Sequence, residues 1–216
     1  MTKNIRKVSN IRYASIREMD ISNGEGVGVA LFVQGCPFNP HCYNCFNPDT
    51  WDFNGGKEWT PEIKDKFLEL IDRPYIKRVS ILGGEPLADE NLDDVLDLVT
   101  EINKRYNFQK VDSANPCKMG ISEAENADKI RLSFPNKTIW IYSGYRWSEI
   151  FNDGVYLTRN CAGWKRREIV KKCDVMIDGK YMDSLRDPQL KWRGSSNQHV
   201  INIEKSMIKG EIVLWD

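Results

Sequence analysis

The sequence has no excess of charge of either sign, because 31 lysine and arginine residues balance 31 aspartate and glutamate residues. Proteins that bind nucleic acid normally carry a basic surface, so this balance disfavours a nucleic-acid partner. The sequence also lacks any apolar run of about 18 residues, the length that a membrane-spanning helix requires. No apolar segment follows the polar amino terminus, as a secretory leader would require. We therefore expect a cytoplasmic protein with no membrane partner and with reduced cysteines.

The length of the chain predicts one domain, spanning residues 1–216, that can bury an adequate core without disulfides. Internal repeats and low-complexity segments are absent. Residues 107–137 are polar and rich in turn formers, with one candidate helix near residues 122–132. We interpret residues 107–137 as an insertion into the domain.

Three of the six cysteines, Cys36, Cys42 and Cys45, lie in one short loop at the end of an apolar run. Thiolates are soft ligands that bind zinc or iron–sulfur clusters. A structural zinc site takes four ligands, and His41 can supply the fourth, although its position next to Cys42 makes the geometry awkward. Alternatively, three cysteines hold a four-iron cluster and leave one iron for a substrate or cofactor. A third interpretation is that these are incidental buried cysteines, which are common in globular cores. The spacing alone leaves all three interpretations open.

The remaining cysteines, Cys117, Cys161 and Cys173, are isolated from one another in the sequence. We expect them to be reduced and structural. Basic neighbours favour reactive thiols at Cys161 and Cys173, which is a hypothesis for substitution to test.

Apolar runs alternate with helical patterns along the chain, as in units of strand, helix and parallel strand. The runs that predict buried strands are residues 27–33, 79–82, 138–142 and 174–177. Periodicity predicts helices from Thr60 to about Arg73 and from about Asn91 to Tyr106. Residues 1–20 predict an extended arm or a first edge strand, and residues 211–215 a last edge strand. The pattern as a whole predicts an α/β fold with a parallel sheet.

Glycine and polar residues follow each of the four predicted strands. These segments are the cysteine loop, Gly83-Gly84-Glu85-Pro86, Ser143-Gly144-Tyr145 and Asp178-Gly179-Lys180. Active sites of parallel α/β proteins are built at the carboxyl ends of their strands, so we expect the four segments to converge. Glycine lets the backbone approach a ligand, and Glu85, Ser143 and Lys180 suit an amino acid zwitterion or a ribose.

The cysteine loop and the Gly83-Gly84-Glu85-Pro86 turn resemble the radical S-adenosylmethionine superfamily. Within it, the chain is similar to the activating proteins of anaerobic (class III) ribonucleotide reductases. The stretches that carry this similarity are Asn23-Gly-Glu-Gly26, Leu31-Phe-Val-Gln-Gly-Cys36, Cys45-Phe-Asn-Pro-Asp-Thr-Trp51, Trp140-Ile-Tyr-Ser-Gly-Tyr145, Asp174-Val-Met-Ile-Asp-Gly-Lys-Tyr181 and Trp192-Arg-Gly-Ser-Ser-Asn-Gln198. The similarity runs from about Ile11 to His199, and the last two stretches are the most specific.

The resemblance implies an α/β fold, a partial parallel (β/α) barrel of the radical S-adenosylmethionine type that is open on one side. It also implies a set of cofactor contacts. Cys36, Cys42 and Cys45 would ligate three irons of one [4Fe–4S] cluster, and its fourth iron would bind S-adenosyl-L-methionine. Gly83, Gly84 and Glu85 would hold the methionine amino group, largely through the backbone, and Ser143 and Lys180 are candidates for the carboxylate or the ribose. Asp178 is a further candidate for cofactor binding. Tyr43, Asn44 and Phe46 would lie near the adenine.

The reaction implied by the resemblance is that of an oxidoreductase. The reduced cluster would cleave S-adenosylmethionine to methionine and a 5′-deoxyadenosyl radical, which takes a hydrogen atom from a glycine. That glycine would lie in a loop of the large subunit of an anaerobic ribonucleotide reductase. An external one-electron donor, such as a flavodoxin, would reduce the cluster. Exposed tryptophans at Trp51, Trp59, Trp147 and Trp192 are candidate contacts for the protein partner, and core packing is an equally good alternative for each. The resemblance alone adds Arg193 as a candidate contact.

The sequence departs from the usual pattern in three places. Five residues rather than three separate Cys36 from Cys42, Asn44 replaces an aromatic residue, and His199 stands where arginine is usual. Two alternatives remain, an activase of another glycyl-radical enzyme and a zinc-stabilised binding module that includes His41. The small number of cysteines argues against the ferredoxin-like clusters that larger activases often carry. The zinc module leaves the Gly83-Gly84-Glu85-Pro86 turn unexplained.

Overall fold

The computed structural model describes residues 11–106, 136–151 and 161–215. In chain order, the strands are β1 (Arg12–Asp20), β2 (Gly28–Val33), β3 (Lys57–Glu58), β4 (Arg78–Gly83), β5 (Thr138–Tyr142), β6 (Val175–Asp178) and β7 (His199–Asn202). They form one seven-stranded sheet in the spatial order β3-β1-β2-β4-β5-β6-β7. Neighbours from β2 to β6 are parallel, whereas β1 and β7 run antiparallel to β2 and β6. The fold is therefore a mixed α/β arrangement whose sheet is open rather than closed.

Helices connect the parallel strands, as the alternating pattern predicts. The described helices are α1 (Pro61–Asp72), α2 (Leu92–Tyr106), α3 (Trp147–Ile150), α4 (Ala162–Lys171) and α5 (Ile203–Lys209). Helix α1 begins where predicted, with Thr60 Oγ1 accepting a hydrogen bond from the Ile63 amide and proline in the first turn. In the described ranges, we find no helix that combines the length and the apolar character needed to cross a membrane.

The two faces of the sheet have different partners. Alternate side chains, such as Leu31, Ile81 and Ile141, join residues of α1, α2 and α4 in the main hydrophobic core. The intervening side chains, such as Phe32 and Leu82, form two smaller apolar clusters on the other face. Because the helices cover one face, the second face can line a cavity.

The terminal strands differ from the predictions. Strand β1 is an inner strand, because the two-residue β3 pairs with its outer side and forms the edge. The predicted strand at 211–215 is reduced to a one-residue bridge between Leu214 and Ile201. Strand pairing of this kind depends on distant segments, which local periodicity does not reveal. Most of the predicted insertion, residues 107–135, lies outside the described residues, as does its candidate helix.

Candidate active site

The carboxyl ends of the parallel strands meet at one cavity, with a volume of about 470 Å³. Its floor includes Phe32, Leu82, Tyr142 and Ile177, which lie at or next to the ends of β2, β4, β5 and β6. The predicted site residues that line it are Cys36, Cys42, Cys45, Phe46, Gly83, Gly84, Glu85, Ser143 and Lys180. The predicted convergence of the four strand ends is therefore confirmed.

The cysteine loop folds back onto the segment around Trp51. The amides of Gly35 and Cys36 donate to the carbonyl oxygens of Thr50 (2.8 Å) and Trp51 (3.0 Å). The His41 ring stacks on the Trp51 ring, with centroids 4.1 Å apart, and its Nε2 lies 3.3 Å from the Cys36 carbonyl oxygen. These contacts hold the five residues between Cys36 and Cys42, so the long spacing forms an ordered loop.

The three cysteines are free thiols that influence one another electrostatically. Burial, with a smaller contribution from the negative groups Glu85, Cys42 and Cys45, raises the pKa of Cys36 to about 11. Burial also raises the pKa of Cys42, and Cys45 adds to this effect. Three thiolates that raise one another's pKa need a compensating cation, and an iron centre supplies one. The residues present therefore fit an iron–sulfur cluster.

A single metal ion does not fit the same residues. Within residues 11–106, 136–151 and 161–215, no three histidine, cysteine, aspartate or glutamate side chains converge closely enough to hold one ion. His41, the fourth ligand of the zinc alternative, instead stacks on Trp51. The described residues therefore give no support to the zinc-stabilised module. In a cluster, each cysteine binds a different iron, so the sulfur atoms do not have to converge on one point.

The Gly83-Gly84 turn packs directly against the start of the cysteine loop. The Gly84 amide donates to the Val33 carbonyl (2.9 Å), and the Glu85 amide donates to the Gly35 carbonyl (2.7 Å). Gly83 has a φ of +116°, which favours glycine, and a Cβ on it would lie 2.6 Å from the Val33 oxygen. The two glycines thus let the ends of β2 and β4 approach each other. Since the Gly84 and Glu85 amides are used in this way, they are not available to a ligand.

The side chain of Glu85 is buried and holds the neighbouring strand end. Its Oε1 accepts hydrogen bonds from the Leu87 amide (2.8 Å) and Ser143 Oγ (2.9 Å), and its Oε2 accepts one from the Gly144 amide (2.7 Å). Burial raises the pKa of Glu85 to about 7 although these hydrogen bonds oppose the shift. The carboxylate therefore positions the Ser143-Gly144 segment at the cavity.

Lys180 places a positive charge at the cysteine loop. Its Nζ lies 4.2 Å from the centroid of the Phe38 ring, which also lines the cavity. Lys180 lies close enough to Cys42 to favour its thiolate. It is therefore placed to contact an anionic group of a ligand near the cysteines.

Asp178 does not line the cavity. Its buried carboxylate accepts a hydrogen bond from the Trp147 amide (2.9 Å) at the start of α3. Its other oxygen lies 2.9 Å from His199 Nδ1 and accepts a hydrogen bond from the His199 amide (3.1 Å). These contacts show that the carboxylate joins β6, β7 and α3.

Of the three residues predicted to lie near the adenine, only Phe46 is part of the cavity lining. Phe46 lines the cavity and packs against Tyr181, with ring centroids 4.8 Å apart. Tyr43 is 76% exposed, and Asn44, with a φ of +54°, donates to Asp183 Oδ2 at 3.3 Å. Neither Tyr43 nor Asn44 lines the cavity.

The tryptophans predicted for a partner interface also divide. Trp51 and Trp192 line the cavity, as does Arg193. Trp59 and Trp147 are buried in the main core, so their assignment to the partner interface is wrong and the alternative of core packing is confirmed. A tryptophan in an amphipathic pattern carries no local signal that separates core from interface.

The structure adds site residues that the sequence reasoning missed: Arg17, Phe38, Tyr142 and Tyr181. Arg17 lies on β1, and its guanidinium carbon is 4.6 Å from the centroid of the Phe32 ring. Phe38 lies between Cys36 and Cys42 in the predicted metal-binding loop. Tyr142 lies two residues after Trp140 on the same face of β5, directly before the predicted site residue Ser143. The sequence therefore contained a local indication for both residues. The position of Arg17 depends on the pairing of β1 with β2, which the sequence did not predict.

Comparison with known proteins is consistent with this arrangement. A protein-family profile described as a 4Fe-4S single cluster domain matches residues 22–115 and 122–201. An anaerobic ribonucleoside-triphosphate reductase-activating protein from Salmonella typhi is 33% identical over 192 residues, which cover 88% of this chain and 97% of the relative. Proteins of the same name from Escherichia coli K12 and Enterobacteria phage T4 are 32% and 29% identical, each over 88% of this chain and over 97% and 93% of the relative. The chain belongs to the family of anaerobic ribonucleoside-triphosphate reductase-activating proteins, and it contains a 4Fe-4S single cluster domain.

Proposed function

We propose that this chain activates an anaerobic ribonucleoside-triphosphate reductase by generating a glycyl radical on its large subunit. The observation that carries the proposal is that three free cysteines line one cavity beside the Gly83-Gly84-Glu85 turn. The names of the relatives support the choice of reductase. No feature of the described cavity favours another glycyl-radical enzyme.

Cys36, Cys42 and Cys45 are the proposed ligands of one [4Fe–4S] cluster. A cluster held by these cysteines would supply the electron for reductive cleavage of S-adenosylmethionine and so the radical chemistry that removes hydrogen from the glycine. The protein's own residues then have to hold the substrates, orient them and exclude water. No acid–base pair of side chains is required for this chemistry.

The proposed S-adenosylmethionine contacts surround the cysteines. The turn Gly83-Gly84-Glu85 is assigned to the methionine amino group, through groups other than the two amides that bond the cysteine loop. Ser143 and Lys180 are assigned to the carboxylate or the ribose. Both line the cavity, and Lys180 supplies the positive charge that a carboxylate requires.

The adenine is assigned to the Phe46 side of the cavity, where the Tyr181 ring provides a second aromatic surface. Tyr43 and Asn44 are assigned to the outer rim of this region. Asp178 is assigned an indirect part, because its carboxylate holds His199 and the start of α3.

The open sheet suits a large protein substrate. Helices cover one face and the cavity occupies the other, as in a partial (β/α) barrel of the radical S-adenosylmethionine type. We assign the open side to the glycine-containing loop of the reductase, with Trp192 and Arg193 as candidate contacts. A one-electron donor such as a flavodoxin is assigned to the reduction of the cluster. The whole chain, 1–216, is assigned to one domain, with residues 107–137 as an insertion.

The proposal is tested by anaerobic reconstitution of the wild type, Cys36→Ala and the control Cys161→Ala. We expect about four iron and four sulfide per chain for the wild type and the control, and a degraded cluster for Cys36→Ala. Reduction in the presence of S-adenosylmethionine should yield 5′-deoxyadenosine, and addition of the reductase should yield a glycyl radical, observed by electron paramagnetic resonance.

Three results would overturn parts of the proposal. Zinc without iron would refute the cluster, and an intact cluster that yields no 5′-deoxyadenosine would refute the cleavage reaction. Cleavage without a glycyl radical on the reductase would point to a different glycyl-radical enzyme as the partner.

A further inference from the structure

The hydroxyl group of Tyr142 is buried in the wall of the cavity, and it has no hydrogen-bond partner among the described residues. Tyr142 is the last residue of β5, and its ring packs against both apolar clusters on the cavity face of the sheet. Burial raises the pKa of Tyr142 above its ordinary value. The hydroxyl therefore stays protonated and can donate a hydrogen bond.

An unpaired hydroxyl group in this position is costly to the fold. Burying a polar group without a partner destabilises a protein, so most such groups are paired with protein or water. Phenylalanine would provide the same apolar ring without the unpaired hydroxyl. Apolar packing alone therefore does not explain why residue 142 is a tyrosine.

Arg193 provides a second unpaired donor at the same cavity. Its Nε is buried and has no partner within the part of the chain that the structure describes. The other buried side-chain atoms without partners in those ranges are Gln34 Oε1 and Asn197 Oδ1, and neither residue lines the cavity. The two unpaired groups at the cavity are thus both donors, one on β5 and one in the loop that precedes β7.

We propose that Tyr142 Oη and Arg193 Nε bind the ligand of this cavity by donating hydrogen bonds to its oxygen atoms. This inference rests on the proposed function, which offers two sources of such oxygens. One is the ribose or carboxylate of S-adenosylmethionine, and the other is the main-chain carbonyl groups of the glycine-containing segment of the reductase. Tyr142, Ser143 and Arg193 all line this cavity, so one ligand there has all three residues in its walls.

Tyr106 is a tyrosine whose hydroxyl group, unlike that of Tyr142, is hydrogen-bonded within the fold. Its hydroxyl group donates to the Leu68 carbonyl at 3.3 Å and is also hydrogen-bonded to Asp72. It lies at the end of α2 and does not line the cavity. Tyr106→Phe is therefore a matched control for Tyr142→Phe, because the two variants make the same chemical change.

The experiment begins with denaturant unfolding of the cluster-free wild type, Tyr142→Phe and Tyr106→Phe. The unfolding midpoint of Tyr142→Phe should equal or exceed that of the wild type, because an unpaired hydroxyl group is removed. The midpoint of Tyr106→Phe should fall, because a bonded hydroxyl group is lost. A fall for Tyr142→Phe equal to that for Tyr106→Phe would overturn the inference.

The next measurements identify the ligand. Equilibrium dialysis with reconstituted protein gives the dissociation constant for radiolabelled S-adenosylmethionine, without any turnover. Glycyl-radical formation at varied reductase concentration gives the half-saturating concentration of the reductase. We expect Tyr142→Phe to raise one of these constants about three- to tenfold, the effect of losing one neutral hydrogen bond.

A weaker affinity of Tyr142→Phe for S-adenosylmethionine would show that the hydroxyl binds the cofactor. A change only in the half-saturating concentration of the reductase would show that the hydroxyl binds the protein substrate. Arg193→Lys keeps the positive charge but removes Nε, and it should change the constant for the ligand that Nε contacts. Unchanged constants for both variants would overturn the inference. A wild type that binds S-adenosylmethionine but forms no glycyl radical would refute the proposed function and leave the dialysis test valid.

Discussion

The hydroxyl group of Ser143 donates a 2.9 Å hydrogen bond to Oε1 of Glu85, and it thereby joins the carboxyl ends of β5 and β4. The same carboxylate accepts a hydrogen bond from the Gly144 amide at 2.7 Å. Since Glu85 is buried, these bonds are shielded from water. Glu85, which the sequence suggests as a ligand contact, thus also stabilises the Ser143-Gly144 segment of the cavity wall.

The Glu85 carboxylate makes stability depend on pH in a defined direction. Its pKa of about 7 lies above the usual 4.5, so its contribution is full below 4.5 and is lost as the pH rises through 7. We expect the unfolding free energy of the cluster-free wild type, relative to Glu85→Gln, to fall by about 2–3 kcal/mol between pH 5 and pH 8. Denaturant titrations at both pH values measure this difference.

The control for this experiment is Glu58→Gln, at an exposed carboxylate on β3. Its pH profile should parallel that of the wild type. A parallel profile for Glu85→Gln would contradict the assignment of the shift to Glu85.

Gly84 has no space for a side chain. A Cβ on Gly84 would collide with the Gly35 carbonyl and lie 2.7 Å from the Thr50 oxygen. Because these backbone atoms support the start of the cysteine loop, we expect Gly84→Ala to lose most of its iron after reconstitution. Iron analysis and the visible spectrum measure the loss.

Gly210 is the matched control for Gly84. It has a φ of +72°, but nothing lies within 4 Å of a Cβ built on it. Alanine at Gly210 should destabilise the protein by about 1 kcal/mol because of its left-handed backbone, and iron binding should remain. Full iron binding by Gly84→Ala would show that the cysteine loop tolerates a displacement at this point.

The buried Arg78 supports another wall of the cavity. Its guanidinium donates to Asp20 Oδ2 (2.9 Å) and to the carbonyl oxygens of Asn23 (2.6 Å) and Glu25 (3.2 Å). Arg78→Met leaves the buried Asp20 carboxylate with only the half-exposed Arg17, 3.6 Å away, as a cationic partner, so we expect a loss of about 3–5 kcal/mol of unfolding free energy. Denaturant unfolding of the cluster-free protein gives this value.

The double variant Arg78→Met/Asp20→Asn should recover part of that loss, because it removes the buried charge. Arg73→Met, which breaks the exposed pair with Glu18, should have little effect. If the double variant were no more stable than Arg78→Met, the loss would come from packing rather than from the buried charge.

Cys161 has a structural role at the start of α4. Its Sγ accepts a 3.4 Å hydrogen bond from the Trp164 amide, in the position of a helix cap. Cys161→Ser should therefore retain stability and reductase activation, whereas Cys161→Ala should lose about 1 kcal/mol. Thermal unfolding and glycyl-radical yield measure the two effects, and loss of the radical in Cys161→Ser would revive a redox role for this thiol.

The parallel part of the fold was predictable because its signals are local. The apolar runs of β2, β4, β5 and β6 and the periodic helices between them indicate parallel strands, and the carboxyl ends of such strands meet at one edge. The inner position of β1 and the short edge strand β3 were not predictable. Both result from pairing between segments that are distant in the chain, and the sequence carries no local signal for it.

The cysteine loop could be assigned to a metal centre because three thiols at short spacing have few other uses. The contacts of Tyr43, Asn44 and Asp178 were less predictable. Each lies next to a residue that lines the cavity, but its own side chain lies outside the lining. Side chains of neighbouring residues point in different directions, so the neighbour of a lining residue can face another partner instead of the cavity.

The sequence by itself determined the parallel strands and indicated a thiol-rich loop at the end of one of them, because apolar periodicity and thiol chemistry are properties of short segments. Only the tertiary structure decided that His41 stacks on Trp51 and that the carboxylate of Glu85 holds Ser143. It also decided that the hydroxyl of Tyr142 is buried at the cavity without a partner in the described ranges. The reason is that burial and hydrogen bonding depend on which distant segments come into contact. The packing of the helices on the sheet determines those contacts.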